Sequence, residues 1–296
     1  MNWRRICIII LLKLNVRLPH LGSLWMLVAA LGFAIMGALV KVASLKFGAA
    51  ELVFYRSLFG LLTIWLYITV KKLPLATPVM GKQMSRALVG FASLVLFFYS
   101  IANLPLATAI TLNYTSPLFL AVFTPFLLHE KPKKTLLLSI IIGFIGISLL
   151  LKPTFNYENW FAGLLGLLSG IGTALAYVHV KQLGAANEPD WRTVFYFTLV
   201  SSIGAGLWML FDHFQSMNGQ DLLILIGMGL SATIAQLAMT RAYRTGDTLV
   251  VASLAYATVL LASLFGGIWW GEHLSLNAWF AITLIIFSAT VSIRSA

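Results

Sequence analysis

Gly229, Thr233, Gln236, Thr240 and Tyr243 recur three or four residues apart, so a helix carries them on one face. Ser253, Tyr256, Ser263 and Gly267 form a second stripe of this kind. Gly166, Ser169, Gly170, Thr173 and Tyr177 form a third, and Thr108, Thr111 and Thr115 a fourth. Tyr99 and Asn103 stack one turn apart. Hydroxyls, amides and phenols can hydrogen-bond a ligand; they do not make a nucleophile with its base. Helix packing competes with this reading, since small and hydroxyl side chains let helices approach closely in lipid. Packing suits Gly166, Gly170 and Gly267. A polar cavity suits Gln236, Tyr177, Tyr256 and Tyr99, whose polar groups would go unsatisfied against lipid. Pro117 has no N–H, so the Asn113 carbonyl four residues earlier loses its helical partner. That leaves a polar spot at a bend, or a kink that a neighbouring helix satisfies. The candidate substrate-binding residues are therefore Tyr99, Asn103, Thr111, Asn113, Thr173, Tyr177, Thr233, Gln236, Ser253 and Tyr256.

No catalytic or metal constellation accompanies them. His20, His129, His179, His213 and His273 lie near the ends of apolar segments, with no HxxxH pair. The lone Cys7 excludes an internal disulfide and a cysteine metal cluster. CxxC, HExxH, GxGxxG and P-loop patterns are absent, so no cofactor is expected. No Asp or Glu falls in the middle of an apolar segment. A proton/drug exchanger needs such a membrane-embedded acid. The cavity is therefore expected to be uncharged, suiting neutral or zwitterionic metabolites with apolar parts, such as amino acids. Arg56 is expected to pair with Glu51, with snorkelling or facing the vestibule as the alternatives, and Lys41 to anchor a helix end, with contact to an anionic substrate group as its alternative. His179 has the ordinary pKa range for proton handling but also reads as a simple interfacial residue.

The elements that position these residues are apolar. Hydrophobic residues make up 60% of the 296 and charged residues 10%, against about 25% charged in a soluble domain. Ten segments approach the roughly 20 apolar residues that span a bilayer. They lie near 22–45, 50–70, 83–103, 105–128, 134–152, 160–181, 192–211, 221–242, 247–270 and 275–293. Residues 1–21 read as a basic amphipathic tail, or as an extension from an upstream start that does little. The net charge of +11 does not indicate nucleic acid, because the basic residues sit in short connectors. With alternating spans, Lys41, Lys46, Arg56 and Lys152 are the basic residues on one side, and the rest of the 20 lie on the other. That second group includes Lys82, Arg86, Lys131, Lys181, Arg192 and Arg244. The positive-inside rule then puts both termini in the cytoplasm.

The chain also matches itself. Leu112, Tyr114, Leu118, Phe123 and Glu130 fall on Leu254, Tyr256, Leu260, Phe265 and Glu272 at a constant offset. An odd-numbered repeat of five spans inserts the second copy upside down, an arrangement that marks secondary transporters. The expected fold class is an all-α integral membrane protein of ten transmembrane helices in two inverted five-helix repeats, 22–152 and 153–296. Pro117 maps to Val259, so the two halves are not expected to bend alike.

These features resemble the EamA-domain branch of the drug/metabolite transporter superfamily. Phe54-Tyr55-Arg56 resembles its Arg-bearing second helix, and Ala107-Thr108-Ala109 followed by Pro117 resembles its fourth. The resemblance implies a central cavity among helices 1, 3, 4, 6, 8 and 9. It also implies a secondary transporter that exports small metabolites such as amino acids across an inner membrane by alternating access. Its partners would be the small-molecule substrate and membrane lipid, with no nucleic acid, and a homodimer is compatible. Efflux of amphipathic drugs or cations is the alternative within that class. A non-transporting membrane interaction protein or an intramembrane enzyme are the alternatives outside it.

Overall fold

A computed structural model describes residues 20–104, 106–152, 159–271 and 275–295. Residues 1–19 of the expected tail, Glu272 and His273 lie outside the described residues. Among the described residues, ten helices are long and apolar enough to cross a bilayer. They are α1 (Leu21–Ala43), α2 (Ala49–Lys71), α3 (Met80–Ile101), α4 (Thr108–Leu128) and α5 (Lys134–Leu151), then α6 (Trp160–Ala185), α7 (Asp190–Phe211), α8 (Gly219–Thr245), α9 (Thr248–Trp269) and α10 (Leu276–Ser295). The protein is a multi-pass, all-helical membrane protein.

Local chemistry sets the helix ends. Asn218 and Asp221 form a capping box that opens α8, and the Asp247 carboxylate caps the first amides of α9. Lys72, His129 and Lys152 end α2, α4 and α5 in the left-handed region, where the backbone turns out of the helix. Gly271 ends α9 in the same way at φ 64°. His129 and Gly271 occupy equivalent places in the two repeats.

The principal helix pairs are α3 with α6, α1 with α8, α5 with α10, and α2 with α7. Exchanging the two halves maps this set onto itself, as inverted repeats require. Where helices touch, small residues bring them close. A Cβ added to Gly146 in α5 would sit 3.0 Å from the Ala281 carbonyl oxygen in α10. Large apolar side chains such as Leu62, Leu66 and Val70 remain exposed on the outside, where lipid solvates them.

α4 and α9 are both interrupted at equivalent places. In α4, Thr115 N–H donates to the Leu112 carbonyl at 3.2 Å and Leu118 N–H to the Thr115 carbonyl at 2.9 Å. In α9, Tyr256 N–H donates to the Ser253 carbonyl at 3.2 Å and Val259 N–H to the Tyr256 carbonyl at 3.1 Å. Both helices thus tighten locally into three-residue turns. An interruption of this kind does not need a proline, yet the two helices still differ beyond it: α4 runs into a π-helical turn over Thr124–Leu128, whereas α9 stays α-helical over Ala257–Trp270.

One face gathers the ends of α2, α4, α6, α8 and α10 and the starts of the odd-numbered helices. Contacts there are dense and polar. Glu188, in the α6–α7 connection, accepts from Thr77, from Gln83 at 2.9 Å and from Arg192 at 3.0 Å. Arg244 pairs with Asp190 at 3.1 Å, and Lys181 donates to the Gly246 carbonyl at 2.8 Å. The opposite face is held by the Lys46–Asp221 pair and by Phe54, Tyr55 and Phe214, whose ring centroids lie 5.5 to 6.2 Å apart.

Candidate functional site

Arg56 lies about two turns into α2, as deep as its sequence position requires. Its side chain turns into the bundle and is 9% exposed. Glycines allow this: a Cβ at Gly60 would meet the Thr233 hydroxyl at 2.9 Å, and one at Gly229 would lie 3.5 Å from the Gly60 backbone nitrogen. The close crossing of α2 and α8 that results brings Arg56, Ser57, Thr233 and Gln236 around one small cavity. Phe197 and Thr198 of α7 close its other side. The cavity volume is about 10 Å³, room for one water.

A second arginine approaches from α3. Arg86 is 3% exposed, and its guanidinium carbon sits 4.1 Å from the centre of the Phe197 ring. Gly90, one turn on, leaves it space: a Cβ there would be 2.6 Å from Arg86 Nη1. The same Phe197 ring lines the Arg56 cavity, so it lies between the two arginines' surroundings. Its Nε and Nη1 have no hydrogen-bond partner, and neither does Gln236 Oε1. Arg56 Nε donates only to the Met36 sulfur, at 3.3 Å.

Among the described residues no carboxylate pairs with either arginine. Glu51 instead accepts from the Gln215 backbone N–H at 3.0 Å. The expected Arg56–Glu51 pair is therefore corrected, and so is the expected uncharged cavity: the centre carries two cations. Glu51 begins α2 while Arg56 lies on a face turned toward α8, so nearness in sequence does not make them meet.

Tyrosines continue this polar centre. Tyr177 and Tyr243 stack with ring centroids 4.7 Å apart, and Tyr114 and Tyr256 lie 6.4 Å apart. The Tyr243 and Tyr256 hydroxyls are buried without a partner, as is the Thr240 hydroxyl.

The candidates read from the sequence divide into groups. Thr233 and Gln236 line the Arg56 cavity, and Tyr177 and Tyr256 join the tyrosine column. Asn113 donates to Ser169 at 3.1 Å and to Thr173 at 3.3 Å, and Thr173 meets Ser93 at 2.7 Å. These residues tie α3, α4 and α6 together beside the column. Thr111 is buried in α4. Ser253 lies 3.2 Å from Ser288 in a serine cluster that joins α5, α9 and α10 and borders the Tyr256 ring at Gly143. Tyr99 and Asn103 lie at the far end of α3, exposed, with the Asn103 amide donating to the Tyr99 carbonyl at 2.8 Å. His179 bridges α3 and α6 through Ser85 at 2.9 Å.

The EamA-like transporter family matches this chain twice, over residues 20–152 and 160–294. The chain belongs to that family. As an EamA-like transporter it is 31% identical over 252 residues to the pseudopaline exporter of Pseudomonas aeruginosa, covering 85% of this chain and 88% of the relative. It is 28% identical over 276 residues to a riboflavin transporter of Vibrio cholerae, covering 91% and 92%. A protein of known crystal structure superposes with a TM-score of 0.83 at 19% identity, over 94% of this chain and 99% of the other, and so shares the fold. An EamA-like chain of this architecture is a small-molecule transporter.

Sequence reasoning passed over Arg86, which it had counted among the connector charges. The available signal was its depth: it stands about two turns inside α3 on the same helical face as Gly90.

Proposed function

We propose that the protein exports small metabolites of the amino-acid class across a bacterial inner membrane by alternating access of its two five-helix halves, with both termini in the cytoplasm. The observation that carries this is the polar centre where the halves meet. Arg56, Gln236, Tyr177 and Tyr256 are drawn from both repeats, and the space beside Arg56 is about 10 Å³. A cavity that holds one water admits cargo only when the helices around it part. The polar contacts on one face and the aromatic cluster on the other are the two layers that would open in turn.

Comparison with relatives supports small-molecule transport. One relative is named as an exporter, and others as transporters of an organic metabolite. Efflux of organic cations is the weaker reading, since two arginines without an acid repel a cation. Reconstitution into liposomes, followed by uptake of labelled amino acids and of organic cations with and without a pH gradient, tests the proposal. Amino-acid flux that wild type supports and empty liposomes lack is the expected result. Flux of cations alone would overturn it.

A further inference from the structure

Two arginines with the bundle closed around them are a costly arrangement. A fixed cation inside a membrane protein persists where something neutralises it for part of its working cycle. Among the described residues no carboxylate does so in this structure: Glu51, buried in the same helix as Arg56, accepts from the Gln215 backbone N–H and leaves its other oxygen unpartnered without forming an ion pair with either arginine. Glu188 binds Arg192, Asp190 binds Arg244, Asp221 binds Lys46, Glu130 faces Lys181, and Asp247 caps α9. A cargo anion, which enters and leaves, is the partner suited to neutralise them for part of the cycle.

The surrounding groups restrict its chemistry. A guanidinium presents a planar fork that fits the two oxygens of a carboxylate. Phe197 covers one face of Arg86, so its donors are available only at the edge. Gln236 Oε1 is an acceptor with no donor, in a residue only 8% exposed, lining the same cavity as Arg56. A buried acceptor of this kind needs an N–H or O–H from whatever occupies the space. The cargo that satisfies both ends carries a carboxylate and a donor close together. A phosphate monoester would satisfy the arginines, but its dianionic phosphoryl group brings only acceptors to Gln236.

We propose that Arg56 and Arg86 bind the carboxylate of an amino-acid-type cargo while Gln236 accepts a hydrogen bond from its ammonium group. This rests on the transporter reading above and names the chemistry of that same site.

The test uses the full protein in lipid nanodiscs. Its thermal unfolding is followed with each of the common amino acids, with the carboxamide of each, and with inorganic phosphate. At least one free amino acid should raise the unfolding midpoint while its carboxamide does not. Arg56→Gln and Arg86→Gln should weaken that response about 10- to 100-fold, as expected for loss of a charged hydrogen bond. Gln236→Glu places a carboxylate beside the arginines. It should raise the ligand-free midpoint and abolish the amino-acid response, a pattern that misfolding does not produce. The proposal is overturned if no amino acid shifts the wild type, if carboxamides act as well as acids, if phosphate alone acts, or if the arginine variants respond normally. Liposome flux separates the two readings. Binding without flux would remove the transporter proposal and leave the site, whereas flux indifferent to both arginines would do the reverse.

Discussion

Tyr114 and Tyr256 occupy the same position in the two inverted repeats, and their rings meet across the molecule with centroids 6.4 Å apart. Each stands where its helix tightens, beside Thr115 in α4 and at the turn itself in α9. The contact is therefore close to the axis that relates the two halves. Their hydroxyls differ, however. Tyr114 has Thr258 of α9 as a side-chain partner, and the Tyr256 hydroxyl has none.

That difference makes the two phenylalanine substitutions unequal. Tyr114→Phe leaves Thr258 without its partner and should cost about 1 kcal/mol of stability. Tyr256→Phe removes an unsatisfied buried hydroxyl and should leave stability unchanged or slightly higher. A reduced flux from Tyr256→Phe at undiminished thermal stability would place that hydroxyl on the cargo path. Equal destabilisation by both would contradict the asymmetry. Thermal unfolding of the purified variants, with flux in liposomes, measures both.

Gly143 and Gly163 should respond oppositely to alanine. A Cβ at Gly143 would lie 2.5 Å from the Tyr256 ring and 2.7 Å from the Ser288 hydroxyl, wedging α5 away from α9 and α10. Gly143→Ala should destabilise by about 1–3 kcal/mol through overpacking. Gly163 in α6 has nothing within 4 Å of a built Cβ, so Gly163→Ala should gain up to about 1 kcal/mol of helix propensity. Unfolding midpoints in one detergent decide this.

Glu188 gives the protein an acid-sensitive joint. Burial by itself would raise its carboxyl pKa; the hydrogen bonds from Thr77, Arg192 and Gln83 and the charge of Arg192 outweigh that and hold it below the ordinary value. A depressed pKa stabilises the fold above the unfolded-state value, about 4.3, and the contribution is lost as pH falls through the folded-state value. Stability should therefore drop on acidification below about pH 4.3, and Glu188→Gln should flatten that drop. An unchanged acid limb in the variant would show that another group carries it.

Orientation gives a prediction independent of the site. Lys71, Lys131, Lys181 and Arg244 share the face at which the even-numbered helices end. The positive-inside rule puts that face in the cytoplasm. Alkaline phosphatase fused after Ala296 should be inactive, and the same reporter inserted after Lys46 should be active. The reverse pattern would invert the topology.

The ten spans, their all-helical class and the five-plus-five repeat were legible in the sequence. Hydropathy is a property of each segment taken alone, and the repeat is preserved as residue identity at a constant offset, from Tyr114 to Tyr256 and from Glu130 to Glu272. Asn113 and Gln236 could likewise be singled out as polar groups within apolar runs. What each of them touches could not. Asn113 holds α4 to α6, while Ser253 joins a serine cluster between α5, α9 and α10. Arg56 and Arg86 show the limit most clearly. A cation two turns inside a span has the same depth whether it snorkels to water or faces inward. Only the rotation of each helix about its axis distinguishes the two, and that rotation is set by which neighbour it packs against. Gly60 against α8 and Gly90 beside Phe197 fixed it here, through contacts between residues more than a hundred positions apart in the chain. The sequence by itself determined a ten-helix membrane protein with a polar interior; the tertiary structure decided that the interior is cationic.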